Sequence, residues 1–505
     1  MEHNYSRIAR NTVFLYIRLL LIMAATLYMS RIVLDALGVS DFGIYNVVGG
    51  LSSALIFFSS AFTNATQRFL NFELGKNDLP AVGRIFSISL LIHIGIALAV
   101  LAIGGAVGVW YVNHQLVLPH EQIPAARIVL WATLLSLVFT FIGSVYESVL
   151  IARENMKLYA YLGLFDAFAK LGVSFAIRIF SSDRLIFYAL LLLAVKILYT
   201  VILACYCRSR YPEAVFRWYW NGKLARQLFS FIGWNAYSCG TWIAAIQGTN
   251  LVLNAFFGPV VNAANAITQQ VTNAIGHFSA SFLTAVRPQL IQSYAANDSS
   301  YFRVLLLSSA RFSAYLVWIF ILPIWLRTDY VLALWLKEVP ETTVAFIHGS
   351  LFYALLGTLH NPLWMATLAV GEIKKPVFYG GTVFMLALPA SYVLLYFGFP
   401  AAVIYPALIF SRFGFLSILY IHVNRHVGLK LTDCFRQVIV PCTAVLTLSY
   451  LIMRYVNTLF PQNFISLAAV SGLCLLLLAV LIWTIGIRAS EREMMRNKLR
   501  ALVAR

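Results

Sequence analysis

Six basic residues, Arg18, Arg31, Lys170, Lys196, Arg311 and Arg412, fall inside runs of apolar sequence long enough to cross a bilayer. A charge at the centre of a span costs about 2.5 to 3.5 kcal/mol on insertion scales, so each needs a partner or a task. Only Glu147 and Asp166 supply acid at similar depth. An excess of embedded cations suits an anionic ligand, because Arg can grip a phosphate through two parallel donors and Lys acts as a point charge. Lys196 and Arg412 stand apart from the others. Each sits at the middle of its span with no acid on that helix, and the 216 residues between them nearly match the period of an internal repeat. A facing pair of such cations would suit a phosphate or pyrophosphate.

The other four have competing explanations. Asp166 precedes Lys170 by four residues, an acid-before-base spacing that can neutralise itself on one helical face. Asp35 follows Arg31 by four near the outer end of the first span, so a local ion pair competes with a substrate role. Arg18 and Arg311 lie one to two turns from the basic ends of their spans and can snorkel. Arg18 and Arg31 are also about 220° apart around an ideal helix, so both face one cavity only if the first span bends. If an ion gradient drives the protein, Asp35 and Asp166 are the candidate coupling residues.

Polar stripes form a second set. The second span carries Asn46, Ser53, Ser60, Asn64 and Gln67 on one helical face, and the eighth carries Asn262, Asn265, Gln269, Asn273 and His277. In hydrocarbon such a stripe is either interhelical hydrogen-bond glue or the wall of a wet cavity. Its recurrence in both halves favours a central aqueous cavity walled by spans 1, 2, 7 and 8. Substrate-binding candidates are therefore Arg18, Arg31, Lys196, Arg311, Arg412, Asn46, Asn64, Asn265, Gln269 and Asn273. No catalytic constellation is read, and no CxxC pair or Cys/His cluster with metal-site spacing occurs, so neither metal nor cofactor is expected. The six cysteines read as small apolar filler.

The elements that must position these residues are membrane helices. With 61% hydrophobic and 11% charged residues, the 505-residue chain lies far from soluble composition. A 20-residue window gives fourteen spans near 12–34, 41–65, 85–111, 125–150, 158–180, 185–207, 228–256, 259–284, 304–326, 345–368, 377–397, 401–423, 436–456 and 464–487. The seventh and eighth can be divided differently around Gly258 and Pro259. The first span follows a polar start without a small-residue cleavage site, so no signal peptide is read. Of 37 Lys and Arg residues, six are embedded, and Arg127, Arg178, Arg184, Arg327, Lys337 and Arg454 flank one side. The remaining 25 gather at the N-terminus, the opposite loops and the C-terminal tail, which places both termini in the cytoplasm. The net charge of +18 then reflects topology and contact with anionic lipid; nucleic-acid binding would need a soluble basic domain.

At an offset of 219, Ile32-Val33-Leu34-Asp35-Ala36 faces Leu251-Val252-Leu253-Asn254-Ala255, and Asn46, Arg68 and Arg84 fall on Asn265, Arg287 and Arg303. Glu154-Asn155-Met156-Lys157 corresponds to Glu372-Ile373-Lys374-Lys375 at 218. The unit is six spans, an even number, so both copies insert the same way up as a parallel repeat. The expected fold is an all-α polytopic membrane protein. An N-lobe occupies 1–207, an interfacial linker rich in Trp and Arg 208–227, and a C-lobe 228–423. Two extra spans and a basic tail fill 424–505. Gly104 and Gly108 in the third span form a weak close-packing motif.

The opening of the chain, Arg10-Asn11-Thr12 followed by Met29 through Tyr45 (MSRIVLDALGVSDFGIY), resembles the bacterial polysaccharide flippases of the multidrug/oligosaccharidyl-lipid/polysaccharide exporter superfamily. Gln67-Arg68-Phe69 and Gly75 continue the likeness, which is specific in the first two spans and architectural beyond them. The resemblance implies alternating access and export of an undecaprenyl pyrophosphate-linked oligosaccharide across the bacterial inner membrane, for O-antigen, capsule or exopolysaccharide assembly. Its partners would be that lipid-linked glycan, membrane lipids and other polysaccharide-assembly proteins. By analogy with the related lipid II flippases, Ser30-Arg31 would belong to a cationic cavity, and spans 13 and 14 would serve as a groove for the lipid tail.

Three rival classes compete. A cation-coupled multidrug antiporter of the same superfamily would share the fold, but a cationic drug calls for embedded acids, of which Asp35 is the best support. A membrane glycan polymerase or ligase would usually need a larger outer loop than those near 112–124 and 327–344. A primary pump is disfavoured because no GxxxxGK[ST] phosphate loop occurs.

Overall fold

The structure is a computed structural model. It describes residues 2–114, 122–179, 183–336, 340–488 and 491–493, with side chains for all of these except 2–10, 27, 30, 31, 34, 39, 40, 42, 43, 46–61 and 259. The described residues are almost entirely helical, apart from short connections, and contain no strand. This follows from the solvent, because in hydrocarbon every backbone polar group must be satisfied within its own segment.

The helices are α1 (Glu2–Gly75), α2 (Leu79–His114), α3 (Ile123–Ala152), α4 (Met156–Ala176), α5 (Arg184–Arg210), α6 (Gly222–Ala295), α7 (Ser299–Leu326) and α8 (Thr328–Trp335). They continue with α9 (Thr343–Val370), α10 (Lys374–Met385), α11 (Ala387–Tyr396), α12 (Ile404–Val427), α13 (Leu431–Cys434), α14 (Val440–Thr458) and α15 (Phe464–Leu481). Among the described residues ten segments are long and apolar enough to cross a membrane, with α10–α11 and α13–α14 each forming one such segment. The helices α1 and α6 are 74 residues each. A straight helix of that length would run about 110 Å, several times the thickness of the hydrocarbon core. Each is instead two helices meeting at a kink, at Gly38 (φ 77°, ψ 171°) and Gly258 (φ 74°, ψ −168°). Only glycine visits that backbone region readily. The kinks divide α1 and α6 where the hydropathy pattern separates spans 1 from 2 and 7 from 8.

The backbone repeats more faithfully than the sequence. Left-handed residues occur at Gly38, Asn77, Glu154 and Asp183, and again at Gly258, Asn297, Gly371 and Gly398. After Asn77 and Asn297 an aspartate caps the next helix: Asp78 accepts the Ala81 N–H at 2.9 Å, and Asp298 accepts the Tyr301 N–H at 3.0 Å. A further positive-φ residue, Gly428, ends α12 where the repeat stops and the extra pair begins.

Two compact units divide the chain within α6, between Ala236 and Tyr237. In the first, α3 packs between α2 and α5, over a core that includes Val129, Leu130, Leu137, Ile177 and Tyr188. The close approach of α2 to α3 uses Gly105 and Gly108, where a Cβ would press on Trp131 and Leu130. The expected pair was Gly104 and Gly108; the buried face lies one residue further on. Segment 211–221 packs on this unit: Arg153 Nε donates to Glu213 at 2.6 Å, and the Arg217 N–H donates to Ser87 at 3.2 Å. Trp218 and Trp220 remain exposed, as interfacial aromatics do.

In the second unit α12 packs on α9 and α10, over Phe346, Phe384, Leu408, Phe415 and Leu419. The helices α14 and α15 dock on α7 through a ladder of polar contacts. Arg311 donates to the Gln437 carbonyl at 3.2 Å and Tyr315 to the Gly486 carbonyl at 3.0 Å. Both acceptors lie in short π-helical segments, Phe435–Ile439 and Ile482–Gly486, whose wider turns disturb the carbonyl ladder. Trp318 Nε1 donates to Ser449 at 2.9 Å, and Arg327, just past the C-terminal end of α7, donates to Asn457 at 2.6 Å.

Candidate functional site

In the first unit four helices bring charge together. Arg18 of α1 lies over the Tyr159 ring of α4, its guanidinium carbon 4.0 Å from the centroid, in a cation–π geometry. Gly163, one turn further along α4, makes the room, since a Cβ there would collide with the guanidinium. Arg18 Nε is buried without a hydrogen-bond partner. From α5, Lys196 lies 4.7 Å from the Tyr199 ring, and the Tyr199 hydroxyl donates to Glu147 of α3 at 2.6 Å. The Glu147 carboxylate acts electrostatically on both Arg18 and Lys196, and Asp166 and Lys170 also act on Lys196. Asp166 and Lys170 form the i,i+4 pair that their spacing suggested, at 2.7 Å. Three cations thus face two acids, and one acid is held by its own helix.

The second unit holds Arg412 of α12. Its Nη1 donates to the Tyr353 carbonyl of α9 at 3.1 Å, and its guanidinium carbon is 4.2 Å from the Tyr353 ring centroid. Gly357 leaves space for it, as Gly163 does for Arg18. Among the described residues no carboxylate pairs with Arg412 or with Lys196. Both cations rest on a tyrosine ring with no carboxylate in direct contact, and only Lys196 has acids, Glu147 and Asp166, acting on it from further away. Beside Tyr353 is a cavity of about 90 Å³, lined in part by Trp242, Asn265, Gln269, Asn273 and Tyr405.

Around that cavity the polar stripe divides. Asn265 is 3% exposed, donates to Asn250 at 2.5 Å and accepts from the Tyr405 hydroxyl at 2.7 Å. Gln269 also donates to Asn250, at 3.0 Å. These two residues are interhelical glue at least as much as cavity wall, because their amide groups are committed to neighbouring helices. Asn273 and His277 are exposed. Asn64 is half-buried in the first unit and has a partner of its own. The side chains of Arg31, Ser30 and Asn46 lie outside the described residues.

Two candidates have other partners. Arg311 is 1% exposed and grips both oxygens of Glu491, at 2.5 and 2.6 Å, while Glu491 also accepts from Ser308. Snorkelling is not needed: the counter-ion comes from beyond the last span, in a tail whose hydropathy gave no sign of it. Asp35 accepts from Arg178 at 2.6 Å, a residue 143 positions away that local spacing could not reveal.

No family model matches the sequence, and no curated protein matches it. Solved structures share its fold. A MATE transporter in complex with MaD3S superposes with a TM-score of 0.72 at 10% identity, covering 84% of this chain and 96% of that one. A MOP superfamily transporter from Pyrococcus furiosus, described by a binding pocket of reverse polarity that suggests a different function, gives 0.70 at 9% identity over 83% and 96%. The outward-facing conformation of a multidrug resistance MATE family transporter gives 0.70 at 10% identity over 83% and 96%. The chain therefore has the fold of these transporters.

Proposed function

We propose that the protein is a flippase that moves an undecaprenyl pyrophosphate-linked oligosaccharide from the cytoplasmic to the periplasmic leaflet by alternating access. The observation that carries this reading is the sign of the uncompensated embedded charge. Lys196 and Arg412 sit on tyrosine rings without carboxylate partners, and Arg18 keeps a buried N–H free. A half-buried cation within a span is costly when no carboxylate contacts it, and a diphosphate would supply negative charge together with acceptors for the free donors. The glycan itself would make few demands on these residues; the diphosphate is the common handle.

The second reading is a cation-coupled multidrug antiporter, which the fold fits at least as well. Two observations weigh against it. Asp35, its best acid, is paired with Arg178, and Glu147 is engaged by Tyr199. The Pyrococcus furiosus protein, by its own description, associates a change of pocket polarity on this fold with a different function. In a low-dielectric cavity an excess of positive charge repels lipophilic cations.

Deleting the gene tests the proposal. We expect loss of a surface polysaccharide with lipid-linked precursor retained on the cytoplasmic face, and unchanged sensitivity to cationic dyes. A deletion strain that keeps all its surface glycans and becomes dye-sensitive supports the antiporter instead.

A further inference from the structure

Away from the cations discussed above, α10 and α12 leave an open groove of about 480 Å³ on the second unit. The two helices meet closely at Gly380 and Gly414, where a Cβ would press on Phe415 and Val383. Beside that contact the groove is walled by Phe378, Tyr379, Thr382, Ile418 and Ile421 and ends at Lys375 and Arg425. Phe378 and Ile421 are each 48% exposed, and Tyr237 braces the wall by stacking on Phe378 and bonding to Thr382 at 3.3 Å. No carboxylate pairs with Lys375 or Arg425 among the described residues; the nearby Glu372 lies 3.6 Å from His426 and also acts electrostatically on His422. His422, which also lines the groove, has a buried Nε2 without a partner.

We infer that this groove holds one anionic phospholipid of the cytoplasmic leaflet, with its phosphate between Lys375 and Arg425 and an acyl chain along the apolar wall. Charge and length both fit. The basic end lies on the side that the distribution of Lys and Arg assigns to the cytoplasm, where anionic headgroups concentrate. From Lys375 to Val383 the wall rises about 12 Å, close to the roughly 15 Å depth of one leaflet's hydrocarbon. The His422 Nε2 can add a polar contact to the headgroup. The site is independent of what the protein transports.

Native mass spectrometry of the full-length protein in detergent, supplied with equal amounts of phosphatidylglycerol and phosphatidylcholine, tests this. The wild type should retain one phosphatidylglycerol through delipidation. A Lys375→Ala, Arg425→Ala double variant should lose affinity for it by roughly tenfold or more. Thr382→Trp, which fills the apolar wall and leaves the charges, should also weaken retention. A Lys430→Ala, Arg436→Ala control, which removes basic residues that do not line the groove, should retain the lipid like wild type. Equal retention of both lipids, equal loss in the control, or full displacement of phosphatidylglycerol by inorganic phosphate would each overturn the inference.

Discussion

At the scale of residues, the embedded cations fall into two kinds. Arg311 is a structural cation: buried, bidentate on Glu491 and bonded to a backbone carbonyl of the adjoining π-helical segment. Glu491→Ala leaves that guanidinium buried without a counter-ion, and we expect a loss of about 3 kcal/mol, read as a lowered midpoint in thermal unfolding of the detergent-solubilised protein. Unchanged stability would mean that water or lipid already solvates Arg311. Lys196 and Arg412 are of the other kind, each lying against an aromatic ring with no carboxylate in direct contact among the described residues, although Glu147 acts on Lys196 from a distance. Lys196→Ala or Arg412→Ala should abolish glycan export while the protein still accumulates in the membrane. Arg412→Lys should keep partial function, since the charge survives and the bidentate fork does not. An alanine variant with normal surface polysaccharide would remove that residue from the substrate path. Sequence located all of these cations but sorted them incompletely. Spacing correctly suggested the Asp166–Lys170 pair, because both partners share one helix; Arg178–Asp35 and Arg311–Glu491 join residues 143 and 180 positions apart, beyond the reach of any local pattern.

At the scale of elements, the kinks at Gly38 and Gly258 turn two 74-residue helices into four spans. Their backbone lies in a region that a Cβ disfavours by about 1 to 3 kcal/mol, although nothing crowds either position. Gly258→Ala should therefore lower stability by that order through backbone strain alone, measurable by thermal unfolding, and a neutral outcome would mean that the kink relaxes without cost. Downstream of that kink, the polar stripe is expected to behave as two sets. In a cysteine-free background, cysteines at Asn273 and His277 should react with a small hydrophilic thiol reagent, while those at Asn265 and Ile275 stay protected. Reaction at Asn265 would show that the amide network opens to water. Hydropathy placed the stripe on one helical face, but it carries no information on which amides find partners; Asn250 and Tyr405, which engage Asn265, come from spans 7 and 12.

At the scale of the whole molecule, the six-span repeat was legible because both copies conserve polarity, and the structure repeats it in four pairs of left-handed residues. The docking of the extra helices on α7 was not legible: Tyr315, Trp318 and Ser449 read as ordinary span residues until their partners are in place. The fold is shared by transporters described as MATE multidrug proteins and by a MOP superfamily member of reversed pocket polarity, so the fold alone does not choose a cargo. The choice rests on charge. The most direct measurement is transport by the purified protein in liposomes, with a polyprenyl pyrophosphate-linked oligosaccharide in one leaflet and its appearance in the other followed by glycosidase accessibility. We predict facilitated transbilayer movement that is lost in the Lys196→Ala, Arg412→Ala double variant, with no exchange of cationic dyes for protons or sodium. Dye exchange without glycolipid movement, or glycolipid movement at an unaltered rate in the double variant, would contradict it.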